Sequence, residues 1–365
     1  MTDPILKKAT ELTKHTKPCY QPITGRIAYV VSHGQSYASN GYAIRTHGIA
    51  KALNGHGLET LCFVRPGRPW DMGIAKDTVT PEMQIDGVRY IHSRWPGDKK
   101  PGTEEQKFTV TINRLVELFT IYRPQVVIAA SNHEIALPAL VAARQLGLPF
   151  QYEVRGFWEV SRASRDPAWE DSAEYQEHYN RECWVISRAD QLYTLNTQMK
   201  DELVARGAKP EQIDLVPNSV SGMPRIVKQS NVRQQYGIPN DAYVLGYMGA
   251  ITEYEGLDHL LEALKLLKKE KVYALIVGGY SPVNRLGRAK PEPIVQKLQK
   301  LAKSYGIHKQ VIFTGRVDHD KLPEYFAAAD ATVIPRAPLP VCELVSAIKP
   351  LEYLSYGKPL IASNV

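Results

Sequence analysis

Between residues 335 and 359 the chain gathers charge around prolines: Arg336 and Lys349 flank a loop, Glu343 lies inside it and Glu352 follows it. Two cations beside the start of a helix are suited to a phosphate-bearing ligand. The elements that would position them can be read locally. Residues 331–334 are an apolar run expected to be a buried strand, and the prolines at 335, 338 and 340 cannot extend it, because each lacks the amide donor that a ladder needs. A loop therefore leaves the carboxyl end of a strand, which is where open α/β sheets bind ligands. Pro350 suits the first turn of a helix and Gly357 its C-terminal cap, so a short helix is expected over residues 350–356, with Glu352 in its first turn. The alternative is an ordinary crossover loop with solvated charges.

A chain of 365 residues exceeds one hydrophobic core and implies two domains. With 44% hydrophobic and 23% charged residues it is neither disordered, fibrous nor a coiled coil. The net charge of +7 suits an anionic partner, whether a nucleotide, a nucleic acid or an acidic membrane surface. Cys19, Cys62, Cys183 and Cys342 are far apart and form no C-x-x-C pair, so neither a zinc site nor a disulfide framework is indicated, and a reducing cytoplasm is the expectation. The sequence has no signal-peptide core and no apolar window long enough to span a bilayer, so any membrane work is expected from the surface.

Residues 1–24 are polar and Lys-bearing and are read as a tail or short surface helix. A first domain over residues 25–220 shows the α/β pattern: strand 26–31, a Gly-, Ser- and Asn-rich loop, helix 41–55, and strand 58–64. Residues 65–86 are a long irregular segment whose role is open. Further units follow at helix 109–122, strand 125–129, helix 137–146 and strand 150–154. A polar, aromatic stretch over residues 158–180 suits acceptor contacts or plain packing. A basic, Pro-containing segment over residues 222–230 has the composition of a linker. A second domain over residues 221–365 repeats the architecture, with strands 243–248, 273–277, 311–314 and 331–334 and helices 257–267, 293–305 and 322–328. The expected fold is α/β, two doubly wound Rossmann-like domains facing a cleft.

This pattern resembles the retaining glycosyltransferases of the GT-B fold, in particular glycosyltransferase family 4. The resemblance rests on Ser39-Asn40-Gly41-Tyr42 after the first strand, Val216-Pro217-Asn218 at the domain junction, Gly246 to Gly249 followed by Glu255-Gly256-Leu257, Phe313-Thr314-Gly315-Arg316-Val317, and Glu352 with Gly357-Lys358-Pro359. It implies a nucleotide-diphosphate sugar as donor, with Glu352 on the ribose hydroxyls, the Gly315, Arg316 and Val317 turn against the base, and Asn40 and Gly41 near the diphosphate; Gly249 ends the strand beside it. It also implies an arginine after the glycine matched by Gly249 and a lysine before the glycine matched by Gly256, where this chain has Ala250 and Glu255. Arg336 and Lys349 are the available replacements. Glu343 is a candidate sugar contact, although its spacing to Glu352 is one residue longer than the family's.

Relatives often place a histidine after the strand matched here by residues 150–154. This chain has Glu153-Val154-Arg155 instead, so Arg155 is a candidate for phosphate or sugar hydroxyls, or else an ion-pair partner of Glu153 or Glu159. His133, in Ser131-Asn132-His133-Glu134, is the alternative histidine, and His33 ends the first strand similarly; a structural role is the competing reading for both. The implied reaction is retaining transfer to a glycan or lipid-linked acceptor in bacterial surface polysaccharide or lipopolysaccharide synthesis, without metal, nucleic acid or other cofactor. The expected location is the cytoplasm, with peripheral contact at the inner face of an anionic membrane. A nucleotide-sugar epimerase or hydrolase and a non-catalytic binding module are the alternatives, the latter kept by the missing Arg and Lys. A dinucleotide oxidoreductase is disfavoured, since no G-x-G-x-x-G follows a first strand. Family members continue past the position of Val365 with further strand and helix units, so a truncated second domain is expected.

Overall fold

The computed structural model describes residues 3–13, 20–38, 40–75, 77–220, 222, 224–279 and 293–365. Cys19 and the loop expected after Gly279 lie outside the described residues. Contacts divide the chain into two units, Met1–Pro217 and Asn218–Val365.

In the first unit, short runs of Val, Ile, Leu and Ala form strands buried on both faces, the pattern of a parallel sheet covered by helices. The elements are α1 (Pro4–Leu12), β1 (Arg26–Val31), α2 (Gly41–Gly55), β2 (Glu59–Val64), β3 (Glu82–Ile85), β4 (Val88–Ile91), α3 (Glu104–Tyr122), β5 (Val126–Ala130), α4 (His133–Gln145), β6 (Phe150–Glu153), α5 (Trp158–Ala163), α6 (Ala173–Ile186), β7 (Gln191–Thr194), α7 (Thr197–Ala205) and β8 (Ile213–Leu215). The sheet order is β3-β4-β2-β1-β5-β6-β7-β8. All its pairs are parallel except β3 with β4. Strand order reverses between β1 and β5, which leaves a crevice at their carboxyl ends.

Two expectations are corrected in this unit. Residues 4–12 are no tail, because the helix they form docks Ile5 and Ala9, one turn apart, into the core. Asp3 caps that helix through the Ile5 amide (2.8 Å) and pairs with buried Arg181 (2.7 Å). The segment 65–86 is not irregular throughout. It ends in β3, which turns back into β4 through Asp86 and Gly87, both at positive φ, as a two-residue type I′ hairpin requires.

The second unit contains α8 (Val232–Gln235), β9 (Tyr243–Met248), α9 (Leu257–Leu266), β10 (Val272–Val277), α10 (Pro293–Tyr305), β11 (Val311–Gly315), α11 (Leu322–Ala328), β12 (Ala331–Ile334), α12 (Pro340–Leu344), α13 (Lys349–Ser355) and β13 (Leu360–Ala362). Its five-stranded sheet, β11-β10-β9-β12-β13, is wholly parallel. Two apolar clusters flank the sheet, one built on Val244, Leu275, Phe326 and Tyr353, the other on Tyr247, Leu261, Ile276 and Leu298. Here strand order reverses between β9 and β12. The Pro-rich loop after β12 is partly helical, since Pro340 occupies the first turn of α12, where its missing amide costs nothing. No helix among the described residues is long and apolar enough to cross a membrane.

Candidate functional site

At the reversal point of the second unit, the loops leaving β9 and β12 are joined by backbone. The Ala337 amide donates to the Tyr254 carbonyl (3.2 Å). Gly256, at φ 66°, starts α9 so close to Pro335 that a Cβ would fall on the Pro335 carbonyl oxygen. Only glycine fits there, on both counts. This close approach brings Glu255 under the loop that carries Arg336.

Glu255 is 2% exposed and gathers both cations. Its Oε1 accepts from Lys349 Nζ at 2.7 Å and from Arg336 Nη2 at 3.4 Å. Arg336 Nη1 also donates to the Val345 carbonyl (3.2 Å). The cluster is not saturated, because Glu255 Oε2 and Arg336 Nε are buried with no hydrogen-bond partner. Two cations against one carboxylate leave one net positive charge, and the open Arg336 Nε–H is a donor for an anion, whereas the open Glu255 Oε2 is an acceptor that an anion leaves unsatisfied. That arrangement can receive an oxyanion.

α13 is held in place by a side chain that the sequence did not single out. Tyr353 is fully buried, and its hydroxyl donates to the Met248 carbonyl (2.7 Å) and accepts from the Met248 amide (2.9 Å). The tyrosine thus ties the helix bearing Lys349 and Glu352 to the last residue of β9. Lys349 in turn passes beneath Gly249, where any Cβ would meet its Cε. Burial raises the Glu352 carboxyl above its usual range against the opposing pull of Lys349 and His319, and it takes no hydrogen bond from a described residue.

The other proposed residues of this unit are more dispersed. Gly315 ends β11 and its carbonyl accepts from the Gly278 amide (2.9 Å). Arg316 is exposed, while Val317 packs on the core. Glu343 is exposed on α12, and no described cation pairs with it. Glu255, which stands where the resemblance implies a lysine, is the counterion that brings Arg336 and Lys349 together.

In the first unit, Asn40 caps α2 by accepting the Ala43 amide (2.9 Å), and Gly41 opens that helix, exposed. Arg155 is no free ligand for phosphate or sugar. It is buried, donating to Glu153 Oε2 (2.8 Å), Thr46 Oγ1 (2.9 Å), the Tyr42 carbonyl (3.0 Å) and the Tyr29 hydroxyl. Burial alone would raise the Glu153 carboxyl, but Arg155 and Arg45 outweigh it and hold the group below its ordinary value. Arg45 continues the network from Glu153 (2.8 Å) to the Val216 carbonyl (2.7 Å). The competing expectation, an ion pair of Arg155 with Glu153, is the one that forms, and it is buried.

His133 is corrected too. It is the first residue of α4, 2% exposed, and its Nε2 shares a hydrogen bond with His178 Nδ1 (2.6 Å). Burial, then the neighbouring His178, push it down to about 3, so it is a neutral packing group near pH 7. Among the described residues the arrangement brings Arg336, Lys349 and Glu352 to one place and leaves Arg155 and His133 in the core of the other unit.

Two parallel, doubly wound Rossmann-like units in one chain are the fold of the GT-B class. A family model described as glycosyl transferases group 1 matches residues 228–365, and one described as a glycosyl transferase 4-like domain matches residues 40–219. The chain belongs to this glycosyltransferase family 4 type of the GT-B proteins. It is similar to a D-inositol 3-phosphate glycosyltransferase of Thermomonospora curvata, 30% identical over 210 residues, or 53% of this chain and 46% of the other. Among solved structures, sucrose-phosphate synthase from Thermosynechococcus elongatus matches with a TM-score of 0.73 at 18% identity, covering 93% of this chain and 81% of that one. Anabaena HepE in complex with UDP-glucose matches at 0.65 and 16% identity, with 93% and 80% covered. The structures bear on the fold, and the chain spans about half the length of the curated relatives it matches.

Proposed function

We propose that the chain transfers a sugar from a nucleotide-activated donor to a glycan or lipid-linked acceptor, with retention of configuration. The observation that carries this is the convergence of Arg336 and Lys349 on Glu255 at the reversal point of the second sheet. In this reading the donor diphosphate meets the two cations, and the half-buried Glu352 carboxylate accepts the ribose hydroxyls, an exchange that offsets its desolvation. The bond from the anomeric carbon to phosphate oxygen breaks with its electron pair going to the leaving diphosphate. The acceptor oxygen bonds that carbon from the same face, and its proton passes to the departing phosphate oxygen. Arg336 and Lys349 stabilise the charge that develops there. They do the neutralising that a divalent ion does elsewhere, so a chelator leaves turnover unchanged. The base site falls at Gly315, Arg316 and Val317. UDP-glucose, bound by the structural relative HepE, is the first donor to try. Surface polysaccharide or lipopolysaccharide synthesis at the inner membrane face is the setting that the basic balance supports.

A panel of sugar nucleotides with acceptor extracts tests the reaction. Nucleotide release coupled to sugar transfer is the expected result; no release with any donor overturns the proposal, and release without acceptor favours hydrolysis or epimerisation. In a thermal-shift screen a nucleoside diphosphate stabilises the wild type, and Arg336→Ala or Lys349→Ala abolishes the effect. Equal responses from both variants and the wild type would show that the diphosphate lies elsewhere.

A further inference from the structure

The segment after β2 places two guanidinium groups at the carboxyl ends of the first unit's central strands. Backbone bonds fix it there: the Arg65 amide donates to the Val31 carbonyl (2.9 Å) and the Gly67 amide to the Ser93 carbonyl (2.8 Å). Arg65 has a counterion, Glu134, at 2.8 Å. Arg68 has none. Asp71, the other carboxylate within its electrostatic reach, accepts from the Trp95 indole (3.0 Å), and Arg68 makes no hydrogen bond to a described residue. Its Nε is buried without a partner. His33, just past β1, has Arg68 and Arg65 as its charged neighbours among the described residues, and burial followed by these two cations pushes it down to about 4, so it is neutral at pH 7. Tyr37, whose hydroxyl lies 3.2 Å from the Ser32 carbonyl and 3.3 Å from His33 Nδ1, buttresses the imidazole from behind; when it donates to Nδ1, the His33 proton is on Nε2. A half-buried arginine without a counterion among the described residues, backed by a second arginine and edged by a neutral imidazole, is a receptor for a planar or tetrahedral oxyanion.

We infer that Arg68, with His33 and Arg65, binds an oxyanion, phosphate or carboxylate, carried by the acceptor, so that the acceptor is an acidic sugar or polyol. This rests on the transferase reading and names the acceptor class for it. Arg68 supplies the fork of donors, Arg65 supplies field without leaving Glu134, and the neutral imidazole of His33 adds a hydrogen bond without competing charge.

The test is calorimetric and thermal-shift binding of glucose 6-phosphate, an inositol phosphate, glucuronate, inorganic phosphate and neutral glucose and inositol, to wild type, Arg68→Gln and Arg68→Lys. The wild type binds the anionic compounds in preference to their neutral parents, and Arg68→Gln loses roughly ten- to hundredfold in that affinity. Binding of the esters but not glucuronate assigns a phosphate, the reverse a carboxylate, and equal binding of inorganic phosphate and the esters, without any sugar contribution, overturns the acceptor assignment. Neutral parents binding as well as the acids, no binding by any acid, or unchanged affinity in Arg68→Gln overturns the site. An unchanged far-UV circular dichroism spectrum and urea unfolding curve show that Arg68→Gln is folded; if it is not, Arg68→Lys and the ionic-strength dependence of the wild type carry the comparison. Failure of the transferase reading is separate, since it appears as a wild type that neither binds nucleoside diphosphates nor releases nucleotide.

Discussion

Glu255→Gln isolates the counterion from its shape. The amide keeps the volume and one acceptor oxygen but removes the charge that holds Lys349 Nζ at 2.7 Å and Arg336 Nη2 at 3.4 Å. At an effective dielectric of about 20 the two attractions amount to roughly 6 and 5 kcal/mol before desolvation, and desolvation of a buried carboxylate takes back several. Removing one partner from a buried pair costs about 3–5 kcal/mol. Arg336 and Lys349 keep 12% and 14% of their side-chain surface and can turn partly to water, which places the cost near the lower end. About 3 kcal/mol in a unit of this size lowers Tm by roughly 6–12 °C.

A diphosphate changes the comparison. On the proposed assignment it shares Arg336 and Lys349 with Glu255 in the wild type, whereas in Glu255→Gln it replaces the missing anion. Nucleoside diphosphate is therefore expected to stabilise the variant more than the wild type, and each tenfold gain in affinity adds about 1.4 kcal/mol at saturating ligand. Differential scanning calorimetry at matched ligand concentrations reads both effects. A variant that melts with the wild type shows that the pairs contribute nothing net. A variant that is destabilised but gains less from ligand refutes the assignment of these cations to the diphosphate.

Glu182 and Tyr353 give two further tests. Glu182 is buried between the Tyr152 hydroxyl and the His133 amide, and burial, then Glu159, raise it to about 7. A carboxyl raised above its unfolded value stabilises fully below about 4.5 and loses that contribution as pH rises through 7. Glu182→Gln should therefore gain on the wild type by on the order of 3 kcal/mol between pH 4.5 and 8 in urea unfolding, and a difference independent of pH would contradict this. Tyr353→Phe orphans the Met248 amide and carbonyl in the core and should cost about 2–4 kcal/mol with an unchanged urea m-value, while weakening nucleoside-diphosphate binding through the displaced α13. Destabilisation without any loss of ligand response would separate the tyrosine from the site.

Four strands of the second sheet and α13 were legible because local chemistry decides them: prolines cannot continue β12, and the helix expected over residues 350–356 forms over Lys349–Ser355, whereas β13 was not expected. The hairpin of β3 and β4 was equally legible in Asp86-Gly87, the I′ turn dipeptide, as was α1 in Asp3 before Pro4. What the sequence hides is which charges meet. Glu255 lies 81 residues from Arg336 and 94 from Lys349, and no local pattern reports that Gly256 lets the two loops touch. Burial is hidden in the same way. Glu153 and Arg155 share a side by strand alternation, which made an ion pair readable, but only the packing of Tyr29, Tyr42 and Thr46 around them makes it a core network instead of a surface one.

A carboxylate where relatives are expected to hold a lysine has a physical consequence beyond the lost charge. Two cations alone, each mostly buried, would repel one another and drift toward water while no ligand is bound. Glu255 stores them at hydrogen-bonding distance, so the geometry exists before any diphosphate arrives and little reorganisation is left to the binding step. The same carboxylate lowers the net attraction from two charges to one. On the proposed transferase reading, a site built this way is expected to hold its ligand less tightly than a bare pair of cations and to release a spent nucleotide more readily, because Glu255 recaptures both cations as the diphosphate leaves. Tighter nucleotide binding and slower product release in Glu255→Gln would be two readings of one cause.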